Sequence, residues 1–145
     1  MPQSEMIMGI YLELVKRPYF FVVHTRLSTT HERYDKYQPR SLREFTLTLF
    51  ELLAEERPDF MRTLAELDDR EFMKSPQHRR YVAKERDVLY IKNPHLEHFA
   101  VEFRGYWVGT NVSHSQVRSV VGLACEAAGV HCASIRQLPS IAPRS

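Results

Sequence analysis

Cysteine, glycine and long apolar runs are scarce in this sequence. Two cysteines, Cys125 and Cys132, stand in 145 residues. Two thiols cannot build the disulfide framework that staples small secreted domains, and they read as free thiols in a reducing compartment. Five glycines leave no Gly-rich loop. Neither the P-loop pattern nor Gly-x-Gly-x-x-Gly occurs, which excludes a backbone phosphate cradle of those kinds. A Gly-x-Ser-x-Gly elbow is also missing. No apolar run approaches the roughly 18 residues of a membrane span. The short patch "MIMGIYL" is flanked by Glu5 and Glu13 and lacks a basic lead-in, so it does not read as a signal peptide. The expected address is the cytoplasm, with no membrane contact. No internal repeat or low-complexity segment is present.

What remains is an ordinary globular composition, 43% hydrophobic and 26% charged. The length suits one domain, 1–145, able to bury a core without staples. Net charge is +2 and the pI about 8.6, which permits a nucleic-acid partner without arguing for one. The distribution is more telling. Arg26, Arg33, Lys36, Arg40 and Arg43 share one stretch; Lys74, His78, Arg79, Arg80, Lys84 and Arg86 share another. Acids gather in "ELLAEERPD" and "ELDDRE"; the latter reads as a solvated helix end.

Local signals predict an α+β domain of helices packed on a small antiparallel sheet. Residues 4–16 read as a helix capped by Ser4, although Ile10, Leu12 and Leu14 also fit a strand. "YFFVVHTRL" (19–27) is a strand. Residues 28–40 read as a long polar connection holding a helical turn. Ser41 and Glu44 form a capping box for a helix with Phe45, Leu49, Leu52 and Leu53 inward. Pro58 opens a second helix, with Phe60, Leu64 and Leu67 inward. Residues 79–83 and 87–91 read as extended, and "KNPHLEH" as a turn. Residues 99–103 and 106–110 make a hairpin about Arg104-Gly105. Ser113 and Gln116 cap a final helix, apolar nearly all round, that ends at Gly129. "HCASI" is a last strand, and the tail "APRS" is frayed.

Chemistry-bearing residues are few. His95, Glu97 and His98, alone or with His131 and Cys132, have zinc-ligand chemistry, but no ligand frame surrounds them. Cys132 beside His131 does not make a nucleophile pair, because strand neighbours point to opposite faces. No catalytic residue, cofactor or metal is expected. The junction "GYWVGTNVSHSQVRS" (105–119) stands out. It sets Thr110, Asn111, Ser113 and His114 between a strand and a helix N-terminus, whose free amides and partial positive charge suit phosphate. Asn111 has the side chain that pairs bidentately with adenine. Ser113 can cap the helix alone, which leaves Asn111 free to point outward.

The order of several segments resembles the DNA-binding domain of the SeqA family, negative modulators of replication initiation. "YWV" at 106–108 and Thr110-Asn111, then a helix, carry the likeness, with "FTLTLFELLAEERPDF" (45–60) and "YVAKERDVLYIKN" (81–93) in the same order. The likeness spans roughly residues 41–128, inside a core at 41–138, with 1–40 as an N-terminal extension. It implies an α+β fold that binds hemimethylated GATC sites in DNA. It assigns DNA contact to Thr110 and Asn111 in the loop and to Arg79 and Arg80 before the strand at 81. The family's second loop Asn is Ser113 here. The expected function is a non-enzymatic DNA-binding regulator whose partner is DNA, with methylated or hemimethylated GATC as the target, and with self-association allowed. Two readings stand beside it. One is a protein-interaction module that kept the fold and lost DNA binding, using "RPYFFVV" and "HERYDKY". The other is a small nucleic-acid-processing enzyme.

Overall fold

The computed structural model describes residues 5–15, 17–75 and 79–138. The expected cap at Ser4, the basic His78 and the tail at 142–145 lie outside them. The first strand, β1 (Met6–Glu13), occupies the stretch expected to be helical. Its two-residue alternation wins because both of its edges are paired. On one side runs β2 (Phe20–Arg26), antiparallel, with Ile10 opposite Val23 and Leu12 opposite Phe21. On the other runs β7 (His131–Ser134), parallel, with Gly9 opposite His131. Ile10, Leu12 and Leu14 are buried in the core, which a strand achieves on one face.

The polar stretch 28–40 holds no helical turn but a third strand, β3 (Glu32–Tyr37), paired with β2. It lies at the sheet edge, in the order β3-β2-β1-β7, where charged side chains are tolerated and discourage further pairing. Both of its faces are tied to β2: the Tyr37 ring stacks on Phe21, 5.0 Å between centroids, and the Tyr34 ring on His24, 4.4 Å.

Helix α1 (Leu42–Glu56) starts at Ser41, whose hydroxyl accepts from the Glu44 amide at 3.1 Å. Only the serine half of the expected box forms. Helix α2 (Phe60–Lys74) follows after Pro58, with Asp59 at its N-cap. It buries Phe60, Met61 and Leu64, and also Asp68, which has no exposed surface. Asp68 is thus not part of a solvated helix end. Its carboxylate accepts from the amides of Tyr81 at 2.6 Å and Val82 at 3.0 Å. Those residues open β4 (Val82–Ala83), so α2 holds the following segment by one buried side chain.

A second sheet has the order β4-β6-β5, with β5 at Ala100–Phe103 and β6 at Tyr106–Gly109. Arg104 (φ 49°) and Gly105 (φ 85°) form the expected tight turn between them; two positive φ values suit a type I′ hairpin. Residues 87–91 are not extended. A short helix, α3 (Arg86–Leu89), leads into a 3₁₀ turn at Pro94–Phe99. Leu89 and Tyr90 turn inward with Ala83 to make a small second core, against which Val88, Leu96 and Trp107 pack.

Helix α4 (His114–Ala128) has the full capping box, with Ser113 and Gln116 bonding reciprocally, and it ends on Gly129 in the left-handed region at φ 70°. It is amphipathic, not apolar all round: Val117, Val121 and Ala124 are buried, while Arg118, Gly122 and Glu126 are exposed. One main core joins residues of both sheets and of α1, α2 and α4, making a single α+β domain. Among the described residues no helix is long and apolar enough to cross a membrane.

Two substitutions separate a local contribution from a tertiary one. Ser41→Ala should cost about 1 kcal/mol, the scale of a lost N-cap. Asp68→Ala should cost about 3 kcal/mol, because two buried amides lose their acceptor at roughly 1–3 kcal/mol each. Urea denaturation of both variants checks the order; equal shifts would show that Asp68 does not hold the segment at 81–82.

Candidate functional site

The segment anchored by Asp68 carries both Arg79 and Arg80 to the lining of one cavity. Arg79 reaches the strand-to-helix corner after β6. Its Nη1 donates to the Asn111 carbonyl at 2.8 Å and its Nη2 to Asn111 Oδ1 at 3.0 Å. The Tyr90 hydroxyl donates to the same Oδ1 and lies 3.4 Å from Arg79 Nη2. The guanidinium carbon sits 5.1 Å from the Tyr81 ring centre and 5.7 Å from that of Tyr90, within cation–π range. Arg79, Tyr90 and Asn111, on three different segments, therefore form one hydrogen-bonded cluster.

Gly109 makes that cluster possible. A Cβ at this position would lie 2.7 Å from both Arg79 Nη2 and Tyr90 Oη. Gly109 also donates to the Tyr81 carbonyl at 2.9 Å, so its backbone cannot withdraw without breaking the sheet. Burial pushes the Tyr90 and Tyr81 hydroxyls above their ordinary pKa, with the Arg79 charge pulling the other way.

The cluster forms part of the lining of an open cavity of about 700 Å³, a size suited to a small-molecule or single-residue ligand. Its described lining holds three cations, Arg79, Arg80 and Lys92, and no carboxylate. Arg80 is largely committed elsewhere: Nη1 pairs with Asp69, the guanidinium lies 4.0 Å from the Phe72 ring centre, and its buried Nε has no partner. Arg79 is half-buried and pairs with no carboxylate among the described residues. Its charge is met only by neutral oxygens and ring faces. Gln116, in the first turn of α4, also lines the cavity, so the positive end of that helix lies beside it.

Of the residues singled out in the sequence, Arg79, Arg80 and Asn111 come together here. Asn111 does not point freely outward. It is half-buried, and its Oδ1 is occupied by Arg79 and Tyr90, because the strand ends over a cation that requires an acceptor. The other three serve the frame. Thr110 Oγ1 donates to the Phe99 carbonyl at 2.6 Å. Ser113 caps α4. His114 meets Tyr19, edge to face at 4.8 Å, and bonds its hydroxyl. Tyr90, Lys92, Asp68 and Gly109 escaped the sequence reading. Only Gly109 carried a local signal: a glycine inside a strand pattern marks close approach of another group.

Elsewhere, Cys125 and Cys132 are free. The contact with Cys132, and burial, hold the Cys125 thiol well above its ordinary pKa; the same contact and the Arg118 charge lower Cys132, against the opposing effect of its burial. Cys132 thus faces α4 while His131 packs edge-on against Tyr11. Among the described residues no group of three or more His, Cys, Asp or Glu is placed to hold a metal. Of the two stretches offered as a protein-docking surface, 17–23 is divided, with Arg17 and Pro18 exposed and Phe21, Val22 and Val23 buried, while 31–37 holds no buried residue. Compared with family models, curated proteins and solved structures, the chain has no match.

Gly109→Ala should expel Arg79 from its place and lower the melting temperature, whereas Gly122→Ala, at a helix position with open space around it, should not. Stability should also fall above pH 10. Between the ordinary tyrosine value of 10.0 and the raised ones, the unfolded chain releases protons that the folded chain keeps. Below that range the contribution is fully present. Tyr90→Phe should flatten part of this alkaline loss in a pH series of thermal melts.

Proposed function

We propose that this chain is a non-enzymatic DNA-binding regulatory protein of the SeqA-like kind, and that the corner joining Arg79 to Asn111 faces the DNA. One observation carries the reading. The arginine and the asparagine that the resemblance singles out lie 32 residues apart in sequence and are hydrogen-bonded to each other. They sit on a cavity whose described lining is cationic and holds no carboxylate.

The geometry revises how the bases are read. With Asn111 Oδ1 occupied, the amide cannot pair bidentately with adenine. Its Nδ2 has no partner among the described residues and offers N–H donors alone, which suit a purine N7 or a thymine O4 in the major groove. Arg79 fixes the amide so that Nδ2 is the group presented. Arg79 and Lys92 supply charge toward phosphate, and the start of α4 adds its dipole.

A fluorescence-anisotropy titration tests this with unmethylated, hemimethylated and fully methylated GATC duplexes at two salt concentrations. Lys92→Ala should weaken all three alike and reduce the slope of log affinity against log salt by about one unit. Arg79→Gln should reduce the slope similarly and also erase any preference among the duplexes. Absence of binding to every duplex at both salt concentrations refutes the DNA reading.

A further inference from the structure

We infer that the cavity between α3 and the start of α4 holds a single unpaired nucleotide, with its phosphate on Arg79 and Lys92 and its base against the apolar wall. This rests on the DNA-binding reading and names the part of the strand that the site takes.

The first argument is charge. A half-buried guanidinium whose charge is met only by carbonyl oxygens, a hydroxyl and two rings is under-compensated. Taking a charge out of water is costly unless an opposite charge meets it. Arg80, on the same cavity, spends its charge on Asp69; Arg79 has no such partner among the described residues. Three of its five N–H groups are committed to Asn111 and Tyr90, and the remaining two make no hydrogen bond among the described residues.

The second argument is the polarity of the cavity's lining. Asn111 and Gln116 both have their side-chain oxygens occupied, the first by Arg79 and Tyr90 and the second by the Ser113 amide at 3.0 Å. What each side chain leaves unused is its NH2. With Arg79 and Lys92, the polar lining therefore offers donors, and its complement is an acceptor-rich anion. A phosphate ester meets that requirement.

The third argument is shape. About 700 Å³ is far more than a phosphate needs, and the remaining wall is apolar: Val88, Ile91 and Leu96 line it. Ile91 is 62% exposed, so its side chain is accessible to a ligand in the cavity. A base fits this half of the cavity. A base inside a stacked duplex cannot enter a concave site, so the nucleotide that enters has left the stack.

The test uses the full chain and four probes: a GATC duplex, the same duplex with one unpaired nucleotide, deoxyadenosine 5′-phosphate and deoxyadenosine. The bulged duplex should bind about tenfold tighter than the paired one, because its extra base is already unstacked. The mononucleotide should compete for that gain and the nucleoside should not. Ile91→Glu places a carboxylate among the cations at an exposed position that folding tolerates. It should abolish the tenfold gain, whereas Ile91→Gln should keep most of it. Equal affinity for paired and bulged duplexes overturns the inference while leaving DNA binding in place. Equal competition by mononucleotide and nucleoside overturns it too, since the phosphate would then not be held. Binding of the mononucleotide with no binding of any duplex supports the cavity's ligand but removes the DNA reading.

Discussion

A buried carboxylate organises this molecule. Asp68 lies on α2 with no contact to solvent and accepts from two consecutive backbone amides, those of Tyr81 and Val82. Peptide amides removed from water must find acceptors, and here a side chain supplies one for both. The consequence runs outward. With residues 81–82 fixed, β4 can join β6, Arg79 is aimed at the corner after β6, and Arg80 is turned toward Phe72 and Asp69. Each of these depends on a backbone segment that is only two residues long as a strand and would be poorly determined by its own sheet bonds.

The cavity is the meeting place of two kinds of constraint. On one side, Asp68 and the short β4 set where the arginines leave the backbone. On the other, Gly109 and the turn at Thr110–Ser113 set where Asn111 and α4 begin. Thr110 ties the corner to Phe99, and Ser113 closes the helix start. These residues keep the geometry rigid without entering the cavity. Tyr90 then bridges the halves, since its ring belongs to the small core under α3 while its hydroxyl belongs to the polar cluster.

What was legible in the sequence follows from the range of the forces involved. The cap at Ser41, the box at Ser113, the left-handed Gly129 and the turn at Arg104-Gly105 are decided within a few residues, and local pattern found them. β1 was misread because its apolar alternation is weak and its partners are distant; helix and strand differ there only through β2 and β7. β3 escaped for the opposite reason: an edge strand need not be apolar. Asp68 looked like any surface acid, since its burial depends on amides thirteen residues away. The pairing of Arg79 with Asn111 had no local signal, and only the family likeness named both residues. Tyr90 was read as part of a strand, and no periodicity could have shown that its hydroxyl ends beside a guanidinium.

The parallel pairing of β1 with β7 has a consequence for how the chain is made. β1 leaves the ribosome well before β7, its parallel partner. Until residues 131–134 emerge, one edge of β1 has only water for its backbone groups, and Cys125 on α4 lacks the strand that covers it. The sheet therefore cannot be finished during synthesis. Its closing step waits for β7, and the interval exposes an apolar strand edge to other nascent chains. Non-local pairing of this kind is intrinsically slow. A chain interrupted before residue 131 would present that edge permanently, which makes β7 the element that keeps β1 from pairing with other chains.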